Sequence, residues 1–224
     1  MKKNLPTIIF ISLIVLVAGL AIYAISRPED KASSTTKSTT QRPKVEADVA
    51  KLSSGNSLGP ADAKVTLSEF GDYQCPACAQ YHKLVKDEII PKYSDKLKFV
   101  FLNYPLIDIH ANAQAAAQAA EAAALQGKFW EMHNILYERQ DDWSKQKNPQ
   151  SKFEAYAREL GIDVDLFKKD SDSQKVIELI NQQAGLGDAF KVKGTPSFFV
   201  NGTAVVLKAG SSDLIEAITK ALAQ

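Results

Sequence analysis

Cys75 and Cys78 are the only cysteines in a chain of 224 residues, and just two residues separate them. Their flanks narrow the fold further. In the run from Val65 to Phe70, Val65, Leu67 and Glu69 share one face by the period-two alternation of a strand. After Cys78, Leu84, Val85 and Ile89 fall on one side of a helix, which is expected to end before Pro91. Strand, short loop, cysteine pair and helix, in that order, is a setting that can present a dithiol for redox chemistry.

Composition sets broad limits. The chain can hold one good-sized domain with a full core. Its 45% hydrophobic and 24% charged content is ordinary for a folded protein. A net charge of +1 with no basic stripe argues against a nucleic-acid partner. Two cysteines are too few for a disulfide scaffold, so packing must hold the fold.

The first residues read differently. Residues 7–26 are uncharged, mostly apolar and about as long as a bilayer requires. Residues 1–26 are therefore expected to be an uncleaved membrane anchor. The small-x-small pattern of Ala24, Ile25 and Ser26 keeps a cleaved signal peptide open. Lys2 and Lys3 face Arg27, Lys31 and Lys37 across this run, so charge alone gives a weak orientation. The short N-terminal tail and the placement of the cysteine pair favour the N-terminus inside. The expectation is a single-pass cell-membrane protein with an extracytoplasmic catalytic domain. Residues 27–58, rich in Ser, Thr, Lys and Ala, read as a flexible linker. Such a coil spans on the order of 30 Å.

Residues 59–224 read as the folded domain. The almost continuously apolar run 97–102 suggests a central strand covered by helices on both faces. Helices are expected over 110–126, with Gly127 as the stop, and over 128–140, 151–160 and 165–186. Asn201-Gly202 between the runs 195–200 and 203–207 predicts a hairpin. It also opens a glycosylation sequon with Thr203, but the tight turn is the simpler reason for it. A last helix, 213–223, follows a Ser211/Ser212 cap.

Disulfide exchange needs a thiolate to attack and a second thiol to resolve the mixed disulfide. Cys75, at the helix start, has unpaired N–H groups and the positive end of the dipole to favour its anion. Cys78, one turn inside, is the natural resolver. Pro76 suits the first turn, where a missing N–H costs nothing. Glu69 points where Val65 and Leu67 point, and burial there raises a carboxylate's pKa. It could then take and return the resolving thiol's proton. A zinc site would have to recruit ligands from His82, His110, His133 and carboxylates, without a second cysteine pair. A structural disulfide across two residues would close a tiny loop and add little. No phosphate loop, Ser–His–Asp order or flavin or nicotinamide fingerprint is present, so no metal and no cofactor beyond the cysteine pair is expected. His82 reads as a surface or cap residue. His133 and the stripe from Trp130 to Tyr137 read as core.

Glu69 and the Cys75-Pro76-Ala77-Cys78 motif, taken with Gly194-Thr195-Pro196 and the hairpin to Gly202, resemble the DsbA-like thiol–disulfide oxidoreductases. Residues 102–110 and 128–133 are similar to that family too, and the likeness covers residues 59–224. It implies an α/β thioredoxin-like fold with a helical domain inserted at about 108–190. It implies Cys75 as nucleophile, Cys78 as resolving thiol and Glu69 as buried proton acceptor. It makes Thr195 and Pro196 a cis-proline loop facing the pair and binding substrate. Pro76 and Ala77 would tune the potential. Without the histidine that the strongest oxidants carry there, a moderate oxidant is expected. Its Cys75 pKa should lie below that of free cysteine but above the family's lowest. The implied function is oxidation of thiols in exported proteins, with recharging by a quinone-linked membrane partner. The segment before the core reads as anchor and linker, not as the dimerisation domain that isomerases often carry, and a monomer is expected. An isomerase or reductase of the same fold is the near alternative. A redox-silent tethered binding module or chaperone is the distant one.

Overall fold

The computed structural model describes residues 42–43, 46–208 and 210–224. The expected anchor, residues 1–26, and most of the expected linker lie outside them. Among the described residues no helix is long and apolar enough to cross a membrane.

Five strands form one sheet in the order β1-β3-β2-β4-β5: β1 (Asn56–Leu58), β2 (Val65–Gly71), β3 (Leu97–Asn103), β4 (Ser197–Val200) and β5 (Thr203–Ala204). β2 and β3 run parallel, paired from Val65 with Leu97 to Gly71 with Asn103. The other three pairings are antiparallel. A parallel pair needs a crossover, and α1 (Pro76–Leu84) provides it.

Both central strands are buried on both faces. Val65, Leu67, Leu97, Phe99 and Phe101 join the larger core, with α1, the inserted helices and the C-terminal helix. Phe70, Val100 and Leu102 face a smaller core completed by Leu52, Ala184, Leu186 and Phe199. This two-sided burial is why β3 reads as an uninterrupted apolar run.

α1 does not stop before Pro91. It passes through a π turn, Val85–Ile89, into a short turn, Ile90–Lys92. Pro91 has no N–H, and its ring would clash with the carbonyl four residues back in a regular helix. The wider turn takes up that conflict: the N–H of Ile90 bonds to the carbonyl of Val85.

Between β3 and β4 lie six helices: α2 (Ala113–Ala124), α3 (Phe129–Glu138), α4 (Gln140–Trp143), α5 (Gln150–Glu159), α6 (Val164–Ser171) and α7 (Gln174–Ala189). The single helix expected over 165–186 is two, α6 and α7. Ser173 caps α7, its Oγ accepting from the N–H of Val176 at 3.3 Å. A serine in that role ends one helix and starts the next. The hairpin turns at Asn201 (φ 47°) and Gly202 (φ 81°), but β5 has only two residues, shorter than the expected 203–207. α8 (Ser211–Leu222) closes the larger core with Leu214 and Ile218.

The expected linker, 27–58, is folded at its C-terminal end. A 3-10 turn, Val49–Ser53, buries Leu52 to 2% exposure, and Ser68 Oγ donates to the Leu52 carbonyl at 2.9 Å. β1 then pairs with β3, Asn56 opposite Phe101. Arg42 stacks over the Tyr104 ring at 4.3 Å and donates to Asp188 Oδ1 at 3.0 Å. The polar composition hid this because an edge strand needs only backbone groups and one apolar peg.

Candidate functional site

The loop between β2 and α1 is built around Asp72. Its Oδ1 accepts from the N–H of Gln74 at 2.7 Å. Its Oδ2 accepts from the N–H of Leu106 at 2.9 Å and lies 2.7 Å from His110 Nδ1. One buried carboxylate thus joins the cysteine loop to the loop that follows β3. The inserted helices hold the same loop from the other side. Gln140 Nε2 donates to the carbonyls of Tyr73 at 2.7 Å and Cys75 at 3.1 Å. Gln74 Nε2 donates to the Ser144 carbonyl at 2.7 Å.

Cys75 is the N-cap of α1, with extended backbone (φ −73°, ψ 121°), and Pro76 follows in the first turn. Cys75 is 7% exposed and Cys78 is fully buried, both as free thiols. The Cys75 thiol donates to the Thr195 carbonyl at 3.3 Å. The Thr195–Pro196 peptide bond is cis. The start of α1 and the loop before β4 therefore meet at the cysteine pair.

The two thiols sit in opposite electrostatic settings. The Cys75 thiol is lowered to about 5 by a hydrogen bond from Cys78 foremost, then by the Thr195 side chain and the backbones of Cys78 and Ala77; partial burial opposes them. The Cys78 thiol is raised well above its ordinary value by burial first, then by Cys75 and the charge of Glu69. One sulfur is set to be an anion at neutral pH and its neighbour to keep its proton.

Glu69, on β2, is 2% exposed, between Phe101 on β3 and Phe198 on β4. Burial, and then the negative charge of Cys75, lift its carboxyl to about 8. Its Oε1 is buried without a hydrogen-bond partner among the described residues. An acid in that setting can carry a proton at neutral pH.

The structure thus brings Glu69, Cys75, Pro76, Ala77, Cys78, Thr195 and Pro196 to one place. His82 departs from its expected surface position. It is 6% exposed, stacked on Tyr137 at 5.0 Å and edge-on to His133 at 5.1 Å. It lies one turn beyond Cys78 on the inward side of α1, so its ring joins the aromatic layer rather than solvent. His133 is core, with its Nδ1 3.0 Å from Tyr73 Oη. Among the described residues no group of three or more His, Cys, Asp or Glu is placed to hold a metal ion.

Sequence reasoning missed Asp72, Gln74, Gln140 and the buried acid Glu121. Glu121 accepts from Asn103 Nδ2 at 2.6 Å and Asn56 Nδ2 at 3.1 Å, and burial lifts it to about 7. Asp72, three residues before Cys75, could have been suspected of capping the loop. Gln140 and Glu121 carry no local signal, because their partners are distant in sequence.

Comparison with known proteins gives a consistent result. A sequence model of the thioredoxin family matches residues 51–220. A thioredoxin-like oxidoreductase from Silicibacter pomeroyi is 27% identical, with a TM-score of 0.62 over 75% of this chain and 92% of that one. Oxidised BdbD from Bacillus subtilis is 24% identical, with a TM-score of 0.69 over 82% of this chain and 100% of that one, a likeness of fold. A Na(+)/H(+) antiporter, NhaA 3 of Salinispora tropica, is 40% identical over 64% of this chain, a match to 21% of its own length. The chain spans about a fifth of the length of such curated relatives. With its inserted helices and its cysteine pair at the start of α1, the chain belongs to the thioredoxin family and has the fold of the DsbA-like thiol–disulfide oxidoreductases.

Proposed function

We propose that this protein is a thiol–disulfide oxidoreductase that introduces disulfides into exported proteins through Cys75 and Cys78. The observation that carries this reading is the split between the two thiols. Cys75 is lowered by the hydrogen bond from Cys78 foremost, with backbone N–H groups of Cys78 and Ala77 at the start of α1, while Cys78 is buried near the acid Glu69. A stabilised thiolate favours the reduced pair and so makes the disulfide an oxidant.

The sequence of steps follows from that split. A substrate thiolate attacks Cys75 of the disulfide, and Cys78 leaves as a thiolate. Glu69 protonates Cys78. A second substrate thiolate then attacks the substrate sulfur of the mixed disulfide, forming the substrate disulfide and releasing Cys75 as its stable anion. Thr195 and Pro196 present backbone to the substrate beside the sulfur. Pro76 and Ala77 tune the pair, Ala77 through its backbone toward Cys75. No cofactor beyond the cysteine pair takes part in this scheme. In the same reading the protein is a single-pass membrane protein, its domain extracytoplasmic and monomeric, recharged by a quinone-linked membrane partner. The uncharged run at residues 7–26 supports the anchoring.

The test is the equilibrium potential of the pair against glutathione. A value of about −120 to −180 mV supports the oxidase. A value of about −270 mV replaces it with a reductase. A redox-silent tethered binding module is separated by Cys75→Ala, since retained biological activity would favour it.

A further inference from the structure

We infer that His110 is a positioning residue for the Cys75–Cys78 pair, holding the cysteine loop in its reactive shape through Asp72. The inference rests on the reading of the two cysteines as an exchanging pair. It adds to that pair a side chain 38 residues from Asp72 in sequence.

Asp72 reaches both cysteines through its backbone. Its carbonyl accepts from the N–H of Cys75 at 3.1 Å, which closes the turn ahead of α1. Burial raises the Cys78 thiol foremost, and a backbone hydrogen bond from Asp72 opposes it. The direction of those backbone groups is tied to the Asp72 side chain, which is fully buried. Three groups meet that carboxyl. The N–H of Gln74 lies on Oδ1 at 2.7 Å, and Oδ2 takes the N–H of Leu106 at 2.9 Å and His110 Nδ1 at 2.7 Å. A carboxylate accepts, so Nδ1 carries the hydrogen of that contact. Among the described residues, His110 supplies the only side-chain bond to Asp72. A buried carboxylate that loses such a partner draws in water or a proton, and either change reorients it.

The backbone that carries the ring is held on both sides. The N–H of His110 bonds to the Leu106 carbonyl at 2.9 Å, and its own carbonyl accepts from the N–H of Ala113, at the start of α2, at 3.1 Å. Two residues on, the N–H of Asn112 donates to Gln74 Oε1 at 2.7 Å. The loop after β3 therefore grips the cysteine loop at Asp72 and again at Gln74.

The consequence is redox poise. The potential measures the free energy of the dithiol against that of the disulfide. The reduced state keeps Cys75 as an anion through donors gathered at the start of α1, the Cys78 hydrogen bond foremost. A turn that loosens at Asp72 moves both sulfurs relative to those donors. The thiolate then costs more, and the disulfide becomes a weaker oxidant.

The test is the equilibrium of the full chain, in detergent, with glutathione, read beside absorbance titration of the reduced Cys75 thiol. His110→Ala is expected to shift that equilibrium about tenfold toward the disulfide, which is about 30 mV, and to move the thiolate titration upward. His110→Asn sets an amide nitrogen where Nδ1 stands and should keep the wild-type values. His110→Gln carries its amide one bond further, at the place of Nε2, and should behave as His110→Ala does. The contrast between those two polar variants holds even if His110→Ala does not fold. Placed on Asp72→Asn, His110→Ala should add no further shift. Wild-type potential and titration in His110→Gln and His110→Ala overturn the inference whatever their melting temperatures, because the bond then supports only the fold. So does a His110→Asn protein displaced as far as His110→Gln, or a shift that adds in full to that of Asp72→Asn. A wild-type pair that never exchanges with glutathione overturns the exchange reading and this inference together.

Discussion

The Cys75 thiol donates to the carbonyl of Thr195 at 3.3 Å, across 120 residues of sequence. The Cys75 sulfur therefore rests against a loop that arrives after the whole helical insert. Neither element makes the site alone.

The first prediction concerns the pair. Cys75→Ser should abolish exchange. Cys78→Ser should keep the attack but lose the resolution, and so accumulate mixed disulfides. Mass spectrometry of the full chain after reaction with a thiol-bearing peptide distinguishes the two. Adducts on Cys78 in the Cys75→Ser protein, at wild-type rate, would reverse the assignment.

The Cys75 thiolate should titrate near 5, with Cys78 far above it. The sign follows from a depressed acid. The stability that Cys75 adds to the reduced fold is complete above the ordinary thiol pKa. It is lost as pH falls through about 5. Denaturant unfolding of reduced and oxidised protein at several pH values should show the reduced form losing its advantage toward acid pH. A Cys75 value at or above that of a free thiol in absorbance titration contradicts the reading.

Glu69→Gln should act in the opposite pH window. The folded carboxyl is raised to about 8, so its contribution is fully present below the unfolded value near 4.5 and lost as pH rises through about 8. Replacing it should stabilise the protein at alkaline pH, on the order of 5 kcal/mol, with little change in acid. Exchange at neutral pH should slow by about 10²-fold as the proton donor disappears. Melting curves and single-turnover rates on one preparation check both halves.

Asp72→Ala leaves the N–H groups of Gln74 and Leu106 without their acceptor. Two orphaned donors in a largely buried loop should cost about 3 kcal/mol. The loss should appear in urea unfolding and as faster amide exchange across the cysteine loop. Unchanged stability would mean that the Gln140 and Gln74 hydrogen bonds suffice to hold the loop.

Leu52→Ala tests where the domain begins. Leu52 fills the smaller core under Phe70 and Val100, so its removal should cost about 2–4 kcal/mol. A neighbouring exposed change, Lys51→Ala, should be nearly silent. If Leu52→Ala is silent too, this turn is a dispensable tail.

Much of this was legible because local chemistry and distant geometry agreed at a few residues. Cys75, Pro76 and Cys78 carry their helix position in their spacing. Glu69 was placed by alternation, since β2 keeps one side chain in two on the face of Val65 and Leu67. Asn201 and Gly202 announced a turn that needs positive φ. What stayed hidden was held by partners far along the chain. Gln140 reaches back 67 residues to Tyr73, and Glu121 reaches 65 to Asn56. His82 misled because a polar residue in a helix reads as exposed until the neighbouring aromatic layer is known. Pro91 misled because the π turn before it has no simple sequence mark.

The outer strands of the sheet, β1 and β5, have three and two residues. Strands that short offer an unfolded chain almost no backbone ladder to extend. Under the function proposed above, unfolded chains would meet this sheet and could add themselves to it. In that reading, clipped borders lower the hazard and leave the loop at Thr195, beside the Cys75 sulfur, as the place for a visitor's backbone.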